Sequence, residues 1–179
     1  MNPIITPEII FSGKHLVGKE IEHSTRTVGD IRSIFEQGDR ITAEQANNIA
    51  YNVSSYMPEK EGTPGGLFFG ITHLYSGLVG DEYFMTKGHF HANRDTAEFY
   101  WGIEGEGVLI LMDEQGAIKG ERMFPGSLHY IPGRIAHRVA NVSDTILSFG
   151  ACWHSNAGHN YDLNFTARLK KINGRPQFV

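Results

Sequence analysis

Short segments with alternating or continuous apolar positions recur along the chain from residue 67 onward. The segments between them are rich in glycine and proline, which are typical of tight turns. Many short strands at such spacing predict an antiparallel sandwich or barrel, so the expected fold class is all-β. The predicted strands cover residues 67–75, 83–86, 97–103, 108–112, 118–123, 127–131, 137–142 and 146–153.

The first part of the chain has a different pattern. Residues 27–30 could cap a short helix with one apolar face, and residues 42–47 could form another helical turn. The next residues alternate between apolar and polar side chains, which predicts a first strand of the β region. We therefore predict a single domain with an N-terminal extension of strand and helix (1–48), a β-barrel core (49–165) and a C-terminal tail (166–179).

Composition narrows the class of protein. The 179 residues are 40% hydrophobic and 20% charged, which suits one globular domain. A net charge of −4 gives no attraction for nucleic acid or anionic membranes, so an anionic substrate would need local positive groups. Cys152 is the only cysteine, which excludes an internal disulfide. No apolar run could span a bilayer and no signal-peptide pattern is present, so we expect a soluble cytoplasmic protein without membrane or nucleic-acid partners.

A set of metal-ligand side chains is the sharpest chemical feature. His89 and His91 would project to the same face of a strand, because side chains alternate with period two. Glu98 lies on the next predicted strand, and His137 lies on a later one. Three imidazoles and one carboxylate suit a divalent transition metal. An isolated His-X-His pair is often only hydrogen-bonded or solvated, but the carboxylate and the third histidine favour a metal site.

The same residues carry a resemblance to a known superfamily. Residues 89–105 resemble the first cupin motif, and residues 126–141 resemble the second, which ends in His137-X3-Asn141. Two positions depart from the motifs: Tyr83 stands where a glycine is usual, and the glycine after Pro132 comes one position early. The resemblance implies a cupin double-stranded β-helix, also called a jelly-roll barrel, whereas periodicity alone leaves sandwich and barrel open.

The residues before the first histidine could bind phosphate. Thr86, Lys87 and Gly88 offer a hydroxyl, an ammonium group and a backbone amide on adjacent positions. The alternative is an ordinary turn, which the triplet taken alone favours. Its position beside the metal ligands favours phosphate binding.

Taken with residues 86–91 and 136–138, the segment 156–161 resembles the cupin-type phosphoglucose isomerases, and the similarity runs from about residue 51 to 161. That family implies a homodimer with one divalent metal per subunit (Fe2+, Mn2+, Ni2+ or Zn2+). It also implies the interconversion of glucose 6-phosphate and fructose 6-phosphate in glycolysis and gluconeogenesis. The family commonly has a tyrosine where this chain has Trp153, whose single N–H cannot replace a phenol. The resemblance and its surroundings place the substrate and phosphate contacts on Tyr51, Thr72, Thr86, Lys87, Gly88, Tyr100, Trp153, His159 and Tyr161.

The isomerase hypothesis assigns catalytic roles to three residues. Glu98 is the expected base for the C2 proton, because it is the one carboxylate in the predicted ligand set. A carboxylate held tightly by a metal is a weaker base, so a hydride shift between C2 and C1 is the alternative. His159 and Tyr161 are candidates for ring opening and for proton transfer to hydroxyl groups. Two other functions remain open from the sequence: an iron dioxygenase, or a non-catalytic sugar-binding cupin.

Overall fold

The computed structural model describes residues 3–162 and 165–179, and strands make up most of its regular structure. Among these residues there is one short α-helix, α1 (Ala43–Ala46), and two 3-10 turns, Arg32–Ile34 and Gly38–Arg40. The all-β prediction is confirmed. The strands are β1 (Ile9–Ser12), β2 (His15–Gly18), β3 (Ile21–Thr27), β4 (Ile49–Tyr56), β5 (Leu67–Leu74), β6 (Leu78–Val79), β7 (Glu82–Tyr83), β8 (Glu98–Glu104), β9 (Gly107–Met112), β10 (Ile118–Met123), β11 (Leu128–Ile131), β12 (Ala136–Asn141), β13 (Leu147–His154), β14 (Leu169–Ile172) and β15 (Arg175–Phe178).

Two antiparallel sheets, called here the larger and the smaller sheet, enclose most of the core; the hairpin β1-β2 and a further sheet in the order β15-β14-β7-β6 lie beside them. The larger sheet has six strands in the order β11-β8-β13-β5-β4-β3, and the smaller one has the order β10-β9-β12. Apolar side chains from both sheets form one buried cluster, which includes Leu74 and Phe149 from the larger sheet and Leu109 and Val139 from the smaller one. This arrangement is the double-stranded β-helix expected from the sequence motifs.

The C-terminal residues form a hairpin that the sequence did not predict. Strands β14 and β15 pair with each other, and Leu169 of β14 belongs to the buried core cluster. A side chain added at Gly120 on β10 would meet the ring of Phe178 at 2.7 Å, so β15 packs directly on the smaller sheet. Every residue of β12 is buried, because one face meets the core and the other is covered.

The predicted helical region near the N-terminus forms only in part. Thr27 and Asp30 exchange hydrogen bonds between their side chains and backbone amides, as a capping pair would. A single 3-10 turn follows instead of an α-helix, although Ile31 and Phe35 are buried as the apolar pattern indicates. The second prediction is confirmed, because Thr42 caps α1 in a complete capping box.

A β-bulge interrupts the chain just before the predicted metal ligands. Met85 pairs with Ala140 and His89 pairs with His137, so three residues (86–88) on one side oppose two residues on β12. The extra residue explains why the strand predicted at 83–86 is irregular. At this point the backbone N–H of Val139 donates to the hydroxyl oxygen of Thr86 at 3.0 Å. Bulges of this kind re-aim neighbouring side chains.

Candidate metal centre

The four predicted metal ligands come together at one point between the two sheets. The nearest donor atoms of His89, His91, Glu98 and His137 all lie within 4.8 Å of one another. His89 and His137 are direct partners across the bulged ladder, with backbone hydrogen bonds of 3.2 and 3.0 Å, and their ring centroids lie 4.4 Å apart. Glu98, the first residue of β8, approaches from the larger sheet.

The positions of individual atoms fit a bound cation. Nε2 of His137 lies 2.5 Å from Oε1 of Glu98, and Nε2 of His91 lies 3.3 Å from the same oxygen. The contact of His137 lacks hydrogen-bond geometry, so this buried nitrogen has no hydrogen-bond partner among the described residues. Buried polar atoms normally have partners. Nε2 of His91 does have hydrogen-bond geometry to Oε1 of Glu98, so His137 is the imidazole whose inward nitrogen needs a further partner, which a metal ion would supply.

Backbone carbonyls orient two of the imidazole rings. Nδ1–H of His91 donates to the carbonyl of Thr96 at 3.0 Å, and Nδ1–H of His137 donates to the carbonyl of Ile135 at 3.2 Å. Because Nδ1 carries the proton in each ring, Nε2 has a free lone pair directed inward. Outer hydrogen bonds of this type hold histidine ligands in a fixed tautomer.

The electrostatics of the cluster keep the carboxylate ionised. Burial alone would raise the pKa of Glu98, but the adjacent imidazoles of His137 and His91 outweigh it and hold the pKa well below its ordinary value. Burial, together with the neighbouring His137, lowers the pKa of His89 well below its ordinary value. At His91 burial alone would lower the pKa of the imidazole, but the neighbouring Glu98 carboxylate outweighs it and raises that pKa, so a bound cation would displace the proton that these two groups can share.

A cavity of about 260 Å³ opens onto this cluster, and most of the predicted substrate contacts line it. Gly88 does not, because it packs beneath the ring of Phe165, where an added side-chain carbon would come within 2.6 Å. Gly88 does not line the cavity, so the contact of its backbone amide with phosphate stays a prediction. The predicted substrate residues on the wall are Tyr51, Thr72, Thr86, Lys87, Tyr100, Trp153, His159 and Tyr161.

An aromatic and imidazole wall stands beside the metal ligands. The rings of His159 and Tyr161 stack with an interplanar angle of 4°, and His159 lies 4.5 Å from His89 between centroids. Backbone pairing of Phe90 with Asn160, at 3.1 and 2.8 Å, brings the two segments together. The predicted position of His159 and Tyr161 near the metal ligands therefore follows from a local β-bridge.

The phenols around the cavity are held neutral. Burial and, second, the charge of Glu98 raise the pKa of Tyr100 well above its ordinary value. Burial also raises the pKa of Tyr51 and of Tyr161. Neutral phenols can donate hydrogen bonds to the oxygens of a sugar or a phosphate.

Trp153 fits the wall because its diagonal neighbour on β5, Gly70, has no side chain. Its indole ring packs edge-on against Phe68, with centroids 5.9 Å apart. A side-chain carbon at Gly70 would lie 3.1 Å from the indole ring. The indole ring of Trp153 thus uses the space above a glycine.

Three polar residues of the cavity wall were missed by the sequence reasoning. Ser24 and Arg26 reach the cavity from β3, and Ser55 reaches it from β4. Arg26 pairs across the ladder with Tyr51, which the sequence did single out. Ser24 and Arg26 are two residues apart, so their side chains lie on the same face of a strand. The sequence does not show which strand pairs with theirs, so it could not place these side chains in the cavity.

None of the described helical segments has the length and apolar character needed to cross a bilayer.

Comparison with solved structures finds oxalate decarboxylase from Bacillus subtilis, with a TM-score of 0.48 and 18% identity over 62% of this chain. An oxalate oxidase in complex with glycolate has a TM-score of 0.47 and 12% identity over 79% of this chain. The match spans 27% of the first of those chains and 55% of the second.

Comparison with known sequences is more direct. A family model described as glucose-6-phosphate isomerase (GPI) matches residues 25–171. Glucose-6-phosphate isomerase from Thermococcus litoralis is 37% identical over 151 residues, which are 83% of this chain and 78% of the relative. The protein of the same name from Thermococcus kodakarensis is 42% identical over 157 residues, or 83% of each chain. The chain therefore belongs to the glucose-6-phosphate isomerase family.

Proposed function

We propose that the protein is a divalent-metal-dependent isomerase that interconverts glucose 6-phosphate and fructose 6-phosphate. The observation that carries the proposal is the meeting of three imidazoles, one carboxylate and several neutral hydroxyl donors in a single cavity. Membership of the family supports the substrate, since the curated relatives are named for this reaction. The cavity volume, about 260 Å³, suits a small polar ligand.

A metal ion would be held by His89, His91, Glu98 and His137. This set of three nitrogens and one oxygen suits Fe2+, Mn2+, Ni2+ or Zn2+. When bound, such a cation supplies Lewis-acid polarisation of a carbonyl and stabilises negative charge that develops nearby.

Glu98 is the proposed base for the proton at C2. It is buried, ionised and adjacent to the place where the reacting carbons would lie. The two imidazole nitrogens near its Oε1 weaken it as a base. If Glu98 stays bound throughout, a hydride shift between C2 and C1 replaces the proton transfer.

His159 and Tyr161 are proposed to open the sugar ring and to move protons between its hydroxyl groups. His159 has a pKa lowered mainly by burial, so it is neutral near pH 7 and can both accept and donate a proton. Its stacking on Tyr161 holds both rings beside the four proposed metal ligands.

Phosphate binding is assigned to the bulge and the strands opposite it. The hydroxyl oxygen of Thr86 accepts a hydrogen bond from Val139, which leaves its proton free to donate to an anion. Lys87 adds a positive charge, and Tyr51 and Thr72 add hydroxyl donors on the same cavity. Binding energy from the phosphate would orient the reacting carbons.

The test is metal removal and replacement in a coupled assay of fructose 6-phosphate consumption. Dialysis against a chelator should abolish turnover and lower the melting temperature, because a metal bound only to the native state stabilises it. At a free metal concentration 100 times the dissociation constant, the loss is about 2.7 kcal/mol. Full activity of a protein shown to be metal-free would refute the metal role.

The same assay separates this function from the two alternatives. Oxygen uptake with an organic substrate, unchanged by Lys87→Ala, would favour an iron dioxygenase. Tight sugar binding without turnover after metal loading would favour a non-catalytic sugar-binding cupin. Running the reaction in deuterated water distinguishes the two isomerase mechanisms, because only proton transfer through Glu98 introduces label at carbon.

We also propose a homodimer located in the cytoplasm, where sugar phosphates are metabolised. Exposed apolar side chains occupy the outer surface of the larger sheet, including Leu128, Tyr130 and Phe99, with the last two rings 5.3 Å apart between centroids. Patches of this kind commonly mark protein interfaces. Light scattering of the purified protein, which should give about twice the 20.0 kDa chain mass, tests the dimer.

A further inference from the structure

The charged side chains of the active-site cavity are unevenly distributed. Among the described residues that line it, two carry positive charge, Arg26 and Lys87, and one carries negative charge, Glu98. The carboxylate of Glu98 faces the imidazoles of His91 and His137 in the candidate metal site. The chain as a whole has a net charge of −4, so two positive side chains in this cavity indicate that the cavity favours an anionic ligand.

Arg26 is well placed to bind a ligand. It lies on β3, the edge strand of the larger sheet, directly across the ladder from Tyr51. Its guanidinium donates one hydrogen bond, to the carbonyl of Thr25 at 3.2 Å. No carboxylate of the described residues comes within ion-pair distance of it. Most of its donors are therefore available to an external anion.

Lys87 presents the second cation from the smaller sheet. It lies in the bulge, and its Nζ lies 4.4 Å from the centre of the Tyr161 ring. Burial raises the pKa of Tyr51, and both the Lys87 backbone amide and the positive charge of Arg26 oppose that rise. Arg26 likewise opposes the rise at Tyr161. Arg26 therefore lies within electrostatic range of both phenols, and the Lys87 ammonium group lies against the ring of one of them, Tyr161.

We propose that Arg26 binds the substrate phosphate from the larger sheet while Lys87 binds it from the smaller one, and that Arg26 sets the preference for phosphorylated over free sugars. This inference rests on the proposed isomerase function. A guanidinium can form two parallel hydrogen bonds to a phosphate, which an ammonium group cannot. Tyr51 and Tyr161 would add neutral donors to the same anion.

The test compares Arg26→Gln and Arg26→Lys with the wild type. Three constants are measured: the KM for fructose 6-phosphate, the inhibition constant of inorganic phosphate, and the inhibition constant of free fructose. Arg26→Gln should raise the first two by about 10- to 100-fold, the range for losing a charged hydrogen bond. The constant for free fructose should stay unchanged, and Arg26→Lys should recover part of the loss. The control is Arg122→Gln, whose side chain is 79% exposed and outside the cavity.

Two results would overturn the inference. One is a phosphate inhibition constant in Arg26→Gln equal to that of the wild type. The other is an equal loss of affinity for phosphate and free fructose, which would indicate a structural role. If the wild type has no isomerase activity, the proposed function fails, and calorimetric titration of inorganic phosphate into the same variants still decides the role of Arg26.

Discussion

Replacing Glu98 by glutamine tests the proposed chemistry most directly. The substitution keeps the shape of the side chain but removes its negative charge and its ability to accept a proton. Glu98 is 5% exposed, so no solvent molecule readily replaces the lost function. In the wild type, Nε2 of His91 and Nε2 of His137 lie 3.3 and 2.5 Å from Oε1 of Glu98. The amide of the variant would lie near the same two nitrogens.

The expected loss follows from the role of the group. A positioned general base contributes about 100- to 10,000-fold to the rate, so kcat should fall by about two orders of magnitude or more. Metal affinity should also fall, because a neutral amide oxygen replaces an anionic ligand. The two effects must be separated by measuring kcat at saturating metal, with the bound metal quantified in each sample.

The matched control is Glu104→Gln, at the other end of β8, where the carboxylate pairs with Lys14 outside the cavity. Its kcat should equal that of the wild type. A metal-saturated Glu98→Gln protein with near-normal kcat would refute the assignment of Glu98 as base. In that case Glu98 would serve only as a ligand, and the hydride shift would become the mechanism.

Two further substitutions test the packing around the site. Gly150→Ala would place a carbon 2.0 Å from the ring of Trp101. We therefore expect the free energy of unfolding by urea to fall by about 1–3 kcal/mol. An unchanged unfolding midpoint would show that the ring moves aside freely. Thr86→Val removes the acceptor of the Val139 amide in the bulge, which should cost about 1–3 kcal/mol and raise the KM for fructose 6-phosphate. Thr86→Ser keeps the hydroxyl and should restore both values, and failure to do so would contradict the role given to the oxygen.

Local patterns were sufficient to predict the strands from residue 97 to 154 and the four residues that converge at the candidate metal site. These strands are short segments with alternating or continuous apolar positions, and turn residues bound them, so each could be recognised without knowing its partner. The ligands His89, His91 and Glu98 lie close together in the sequence, and His137 completes the set within a recognisable motif. Their convergence depends mainly on local geometry and one cross-strand pair.

Features that depend on distant pairing could not be predicted. The bulge at residues 86–88 is defined only by its register against β12. The burial of both faces of β12 depends on the segment just before β14, where the Arg138 guanidinium donates to the carbonyl of Ala167 and lies over the ring of Phe165. Arg26 lies on a strand whose polar pattern resembles that of an exposed loop, and its place in the cavity follows from pairing with β4.

The position of β3 at the edge of the sheet has a consequence for how this scaffold could vary. An edge strand pairs on one side only, so its sequence can change with less disturbance to the ladder than that of an inner strand. All four proposed metal ligands lie elsewhere, between residues 89 and 137. Changes confined to β3 could therefore alter which anions the cavity accepts while the residues around the cation stay the same.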